Sequence, residues 1–217
     1  MKVKIYQIYY DATSKSHLDP HCIAFDNSSP PRENEFEYGV MRRLYSGSNF
    51  VDADLYGVLS WKFFQKFGAQ PSSVASCLGS QQDVDVVICN PYPQSVFFDN
   101  VWRQGERYHP GMIDVAKEVF ELAGISTSMI DLEMRETESY CNYWLANDRF
   151  LDLYFSFSER VYASIYRNKH LMEPMFEGVQ DRYIQAPWFP FIFERLFSTV
   201  LTAYRPAFKV LKVKKFG

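Results

Sequence analysis

The chain has 217 residues, enough for one substantial core, and no linker divides it, so residues 1–217 are read as a single domain. A net charge of −3 and an isoelectric point near 5.8 exclude the basic footprint of a general nucleic-acid binder. With 19 Phe, 15 Tyr and 4 Trp, the composition suits bulky core packing, and equally a groove that stacks sugar rings or a nucleobase.

Residues 3–10, Val-Lys-Ile-Tyr-Gln-Ile-Tyr-Tyr, are β-branched and aromatic and predict a first central strand that ends at Asp11 in a polar loop. No apolar signal core precedes it, and no apolar run approaches the roughly 20 residues of a membrane span, so the expected setting is a reduced cytoplasm. Cys22, Cys77, Cys89 and Cys141 show no paired zinc spacing; the apolar surroundings of the last three predict buried thiols. A short strand over residues 22–25 runs into the loop 26–31. Tyr38, Met41, Leu44 and Tyr45 then recur at helical spacing, with Gly47 as a stop. Asp52 and Asp54 enter an apolar strand-like run, Leu55 to Ser60, and Ser60 is placed to cap a short helix over residues 61–67 that Gly68 ends.

Pro71 opens a short helix closed by Gly79, and residues 84–89 read as a buried strand finishing at polar Asn90, a second site candidate. His109-Pro110-Gly111 opens a helix through Val115, Val119 and Leu122, stopped by Gly124. Residues 139–145 predict a short strand. Asn147 or Asp148 then caps the clearest helix, whose apolar stripe is Phe150, Leu153, Tyr154, Phe157, Val161 and Ile165. Pro187-Trp188-Phe189-Pro190 leads into a helix start carrying Glu194 and Arg195. Lys209, Lys212, Lys214 and Lys215 alternate with Val210, Leu211, Val213 and Phe216, which reads either as a solvated edge strand or as a peripheral contact with an anionic inner membrane.

Strands alternating with helices, with polar residues at strand ends, describe a nucleotide-binding type of α/β domain. Gly-x-Gly-x-x-Gly, Gly-x-x-x-x-Gly-Lys-Ser/Thr and Gly-x-Ser-x-Gly are all absent, which argues against dinucleotide oxidoreductases, P-loop enzymes and serine hydrolases. His17, His21, His109 and His170 form no ligand pattern. Asp52 and Asp54 lie on one face of an extended segment, where carboxylates share a divalent cation (Mn or Mg) bound to a diphosphate; the alternative is a solvated strand entry. Asp83 and Asp85 have the same spacing but read as strand-start charges. Glu194 and Arg195 are either an ion pair that fixes the last helix or a functional pair, and Trp61 and Trp144 serve either packing or sugar stacking.

Four segments occur in a telling order: residues 4–10 (Lys-Ile-Tyr-Gln-Ile-Tyr-Tyr), 54–63 (Asp-Leu-Tyr-Gly-Val-Leu-Ser-Trp-Lys-Phe), 139–145 (Ser-Tyr-Cys-Asn-Tyr-Trp-Leu) and 193–197 (Phe-Glu-Arg-Leu-Phe). Together they resemble glycosyltransferases of bacterial capsule and lipopolysaccharide gene clusters, through short degenerate motifs that span nearly the whole chain. The resemblance implies a GT-A-like (Rossmann-like) mixed sheet flanked by helices. It also implies transfer from a nucleotide-sugar donor to a growing surface polysaccharide or lipopolysaccharide acceptor. On it, Tyr9 and Asp11 border the nucleotide, and Tyr56, Ser60, Trp61 and Lys62 the donor sugar and diphosphate. Asn142 and Trp144 line the acceptor side, and Glu194 with Arg195 closes the site. Lys62 or Arg195 would stabilise the leaving phosphates, and Glu194 or Asp54 would deprotonate the acceptor hydroxyl. The Asp-x-Asp pair departs from the family's arrangement by preceding the apolar run instead of following it. Two other readings stay open: a non-catalytic carbohydrate-binding or assembly module of the same fold, and a nucleotide-using transferase of phosphate or acyl groups.

Overall fold

The computed structural model describes residues 1–32, 34–92, 97–177 and 187–214. Strands β1 (Val3–Tyr9), β2 (Ile23–Asp26), β3 (Leu55–Ser60), β4 (Val86–Ile88), β5 (Trp144–Ala146) and β6 (Val210–Lys212) form one mixed sheet in the order β2-β1-β3-β5-β4-β6. β5 runs antiparallel to β3 and β4, and the other pairings are parallel. Helices α1 (Ala12–Lys15), α2 (Phe36–Ser46), α3 (Phe63–Phe67), α4 (Pro71–Leu78), α5 (Val101–Tyr108), α6 (Met112–Leu122), α7 (Asp148–Arg167), α8 (Lys169–Phe176) and α9 (Trp188–Ala203) flank it. This is the α/β class that the alternating pattern predicts.

Because successive strand residues point to opposite faces, the apolar strands feed two cores. Tyr6, Ile8, Tyr56, Val58, Val86, Ile88, Trp144 and Ala146 face the larger core, shared with α2, α5, α6, α7 and α9. Ile5, Leu55, Leu59, Val87 and Leu145 face a smaller one closed by α3 and α4. Local chemistry sets the helix ends. The Asn147 side chain accepts from the Phe150 N–H at 3.0 Å to start α7, and Gly68 takes the left-handed conformation, φ 87°, that ends α3. Asn100, by accepting from the amides of Trp102 and Arg103, starts α5, a helix that the sequence pattern does not announce.

Three expectations need correction. Residues 139–145 are extended only from Trp144, because Cys141 (φ 62°) and Asn142 (φ 56°) both turn left-handed and break the pairing. Ser60 does not cap α3: Lys62 occupies that position without a side-chain bond, and the Ser60 hydroxyl pairs with the Tyr143 hydroxyl at 2.9 Å. Cys77 is exposed on α4, whereas Cys89 is buried as predicted; all four thiols are free. The alternating tail does form an edge strand, with Lys209 donating to the Gln82 carbonyl and Lys212 to Glu136. Lys215 and Phe216 of that expectation lie outside the described residues. Among the described residues, no helix is long and apolar enough to cross a membrane.

Candidate functional site

The chain leaves β1 for β2 on one side and pairs it with β3 on the other, so the course of the sheet reverses beside β1 and a crevice opens at the carboxyl ends of these strands. Antiparallel β5 delivers its amino end to the same edge, where Ile8 pairs with Ser60 and Ile88 with Trp144. At the end of β1, the Tyr9 hydroxyl donates to Asp26 at 2.8 Å, and Asp11 caps α1 by accepting from the Ser14 N–H at 2.6 Å. That hydrogen bond holds the Asp11 carboxyl below its ordinary range. Past β3, the Trp61 ring lies against His17 at 5.5 Å, and the Lys62 ammonium stands 5.0 Å from the Trp61 ring centre.

Lys66, one helical turn after Lys62, reaches inward to the Cys141 sulfur at 3.3 Å. Burial works against its charge, but Cys141, Tyr92 and Glu194 more than offset this and raise its pKa, so it stays a cation. The Cys141 N–H donates to Glu194 Oε2 at 2.8 Å. Its thiol, pushed up to about 11 by burial and by Glu194, stays protonated near neutrality. Glu37 belongs to this group as well. It sits in the first turn of α2, half-buried, with Glu194, Lys66 and Lys62 acting on its charge. Burial is the main force raising its pKa, opposed first by a hydrogen bond from its own backbone N–H; Glu194 adds to the rise and the two lysines work against it.

Beside these charges a cavity of about 650 Å³ opens, mostly apolar, walled by Tyr92, Tyr108, His109, Tyr140 and Phe191 and floored by Glu194. His109 stacks on Phe191 at 3.9 Å, while Phe97 and Tyr108 stand 83% and 58% exposed at the rim. The Tyr140 hydroxyl and Asn142 Oδ1 are buried there or alongside and make no hydrogen bond among the described residues.

Sequence comparison finds nothing: no protein-family model and no curated protein matches the chain. Structural comparison does. The apo structure of the WbbM bifunctional glycosyltransferase superposes over 99% of this chain with a TM-score of 0.53 at 14% identity. The fold is shared with a glycosyltransferase. The chain spans 45% of that structure's length.

On this fold, the sequence-predicted residues separate into three groups. Tyr9, Asp11, Ser60, Trp61, Lys62, Asn90, Asn142 and Glu194 gather at or next to the carboxyl edge. Asn90 accepts from the Tyr92 N–H at 3.0 Å and its amide lies 3.5 Å from Glu138. A second group is interior. Tyr56 is buried and its hydroxyl accepts from the Ala53 N–H; Trp144 stacks on Phe197 at 4.6 Å. The Arg195 guanidinium is likewise buried, donating to the carbonyls of Val101 (2.9 Å) and Phe191 (2.7 Å) and to Gln104 (2.8 Å), so it clamps α9 to α5 beside the cavity.

Asp52 and Asp54 form the third group, at the amino end of β3, the opposite edge from Lys62. Asp54 there accepts from the Lys2 N–H at 2.6 Å. One strand's length separates the pair from the crevice, and among the described residues no group of three or more His, Cys, Asp or Glu side chains is placed to hold an ion. The aspartates therefore do not fit a cation at a diphosphate site. Glu37 and Lys66 carried signals that the motif reading passed over. Glu37 precedes Met41 by four and Leu44 by seven, so a carboxylate stands in the apolar stripe of α2; Lys66 shares a helix face with Lys62.

Proposed function

We propose that this chain is a GT-A-like glycosyltransferase that moves a sugar from a nucleotide-sugar donor to a surface polysaccharide or lipopolysaccharide acceptor. The observation that carries the reading is the meeting of Lys66 and Glu194, joined through Cys141 beside the aromatic cavity at the carboxyl edge of the sheet, on a fold shared with a glycosyltransferase. In this reading the nucleotide lies between the ends of β1 and β3, against Tyr9, Asp11, Ser60 and Trp61. Its diphosphate faces Lys62 and Lys66. The acceptor glycan enters the aromatic cavity, where the unpaired Tyr140 hydroxyl offers a hydrogen bond to a sugar hydroxyl. Sugar transfer develops negative charge on the leaving phosphates, which the ammonium of Lys66, held against the Cys141 sulfur, stabilises together with the exposed Lys62. A cytoplasmic setting, with Lys209, Lys212 and Lys214 touching the inner membrane, belongs to the same reading.

The test is a panel of nucleotide sugars scored by thermal shift, donor hydrolysis and transfer to glycan acceptors. At least one donor is expected to raise the melting temperature and turn over, and Lys66→Met to weaken its binding about 10- to 100-fold, as losing a charge-assisted phosphate contact of about 1.5–3 kcal/mol would. Binding without turnover would favour the non-catalytic carbohydrate module, and no binding at all would sink both.

A further inference from the structure

We propose that the aromatic cavity receives an acetamido sugar of the acceptor. The Tyr140 hydroxyl donates a hydrogen bond to its amide carbonyl, and the N-acetyl methyl rests on the aromatic walls. This rests on the glycosyltransferase reading above and names the class of sugar that the acceptor carries at this site.

The assignment follows from an orphan hydroxyl in apolar surroundings. Tyr140 lines the cavity and is 2% exposed, yet its hydroxyl makes no hydrogen bond among the described residues. Leaving such a group unpaired costs stability that phenylalanine would not, so its partner is to be sought in a complex. The ring is held in place by Tyr92, which packs against it in a T-shaped contact with centroids 6.0 Å apart. The other polar groups of the cavity narrow the choice. Arg195 donates to Gln104 at 2.8 Å and to the Val101 and Phe191 carbonyls, so these two side chains are already engaged. Lys66 and Glu194 are joined to Cys141 at the floor. The rest of the wall is aromatic, with Tyr108 at the rim and His109 stacked on Phe191 at 3.9 Å. A hexose bearing hydroxyls alone would press several of them against aromatic faces that offer no ordinary hydrogen bond. A 6-deoxy sugar or a lipid chain would suit those faces and leave Tyr140 unpaired. An acetamido group meets both conditions: its carbonyl accepts from the hydroxyl, its methyl packs on the rings, and Glu194 is an acceptor for its N–H.

The experiment uses the full-length protein and the donor that turns over in the panel above. Transfer is measured to the methyl glycosides of N-acetylglucosamine, glucose, N-acetylgalactosamine, galactose and fucose, and to octyl glucoside. Wild type is expected to favour each acetamido sugar over its hydroxy counterpart by about 10- to 100-fold in kcat/KM, chiefly through KM, as one buried hydrogen bond and one buried methyl would give. Tyr140→Phe should lose that preference while melting at or above the wild-type temperature. Equal rates for acetamido and hydroxy sugars, a preference for the fucoside or for octyl glucoside, or a preference that survives in Tyr140→Phe overturns the assignment and leaves the transferase reading standing. So does a Tyr140→Phe protein that melts well below wild type, since the hydroxyl would then be paired in the free protein. Donor turnover with neither transfer to the acetamido glycosides nor calorimetric binding of them has the same meaning. Absence of turnover with every donor overturns the transferase reading itself, and the assignment with it.

Discussion

Arg195 offers the sharpest separation between a residue that reacts and one that holds the site together. Replacing it with alanine strips the donor from three acceptors at once: the Val101 and Phe191 carbonyls and the Gln104 amide oxygen. It also leaves Glu194, 3.6 Å away, without its neighbouring cation. An unsatisfied buried acceptor costs about 1–3 kcal/mol, so three would sum to roughly 3–9 kcal/mol before water enters and the helices relax. Breaking one side of a buried charged contact is measured at about 3–5 kcal/mol, and that lower range is the expected loss here. For a chain of this size it corresponds to a melting temperature lower by roughly 6–20 °C. Urea unfolding of wild type, Arg195→Lys and Arg195→Ala measures it: the midpoint should fall in that order with an unchanged slope, the lysine variant retaining part of the clamp. An Arg195→Ala protein that unfolds within 1 kcal/mol of wild type yet no longer binds or turns over a donor would refute the structural role and return Arg195 to the reacting groups.

Gly105 lies under the same guanidinium. A Cβ there would meet the Met112 methyl and Arg195 Nε, and would lie 2.7 Å from Arg195 Cζ, so Gly105→Ala should destabilise by about 1–3 kcal/mol in the same urea assay. Asp54→Ala removes a contact to Lys2 on an exposed edge; it should cost under about 1 kcal/mol and leave donor-induced thermal shifts unchanged with or without a chelator. Burial alone would raise the Asp19 carboxyl, but the N–H groups of Ser72 and His21 hold it below its ordinary value. Its folded pKa being depressed, its stabilisation is complete above the unfolded value near 3.9 and is lost as pH falls through the folded one. The gap between wild type and Asp19→Asn, about 1–2 kcal/mol at pH 7, should therefore close between roughly pH 5 and pH 2. Alkylation followed by mass spectrometry should label exposed Cys77 first. Cys141 should resist until strongly alkaline pH, since its thiol ionises near 11.

Much of the architecture was legible because period-2 and period-3.6 patterns coincide with real burial. Val3–Tyr9, Asp148–Arg167 and the helix begun at Pro187 follow from apolar spacing, Asn147 and the proline position. Helix α5 was hard to read because it is short and mostly polar: Val101, Trp102 and Gly105 bury one face against α9 and Met112, and the rest of its eight residues are charged or polar except Tyr108. At the site, the strand-end residues Tyr9, Ser60, Trp61 and Lys62 were legible because a parallel strand's carboxyl end is defined by where its apolar run stops. The aspartates at the other end of the same run misled for a geometric reason. Seven residue steps at about 3.3 Å each place Asp54 and Trp61 up to about 23 Å apart, although they are close in sequence. Local spacing marks Glu37, in the apolar stripe of α2, and Lys66, one turn after Lys62, but what Lys66 meets, the Cys141 sulfur 75 residues on, is set by packing alone.

The turn before β5 ties these features together. Cys141 and Asn142 both adopt left-handed backbone, which for two successive residues with side chains costs of order 1–3 kcal/mol each. The same turn leaves the Tyr140 hydroxyl and Asn142 Oδ1 buried and unpaired, a further cost that phenylalanine at 140 and glycine at 142 would avoid. What the turn achieves is directional. It aims the Cys141 N–H at Glu194 and the thiol at Lys66, so one residue fixes both a carboxylate and an ammonium of the crevice. With Glu194 so held, its charge stands beside Glu37 and raises it, while Lys66 is kept protonated facing the proposed diphosphate. At the carboxyl edge of the sheet, strain, two orphaned polar atoms and perturbed ionisation meet beside a mostly apolar, aromatic cavity, whereas at the opposite edge Asp54 and the left-handed Asp83 line an open, mainly polar hollow. That asymmetry is what a fold organised around chemistry at the carboxyl ends of its strands would show.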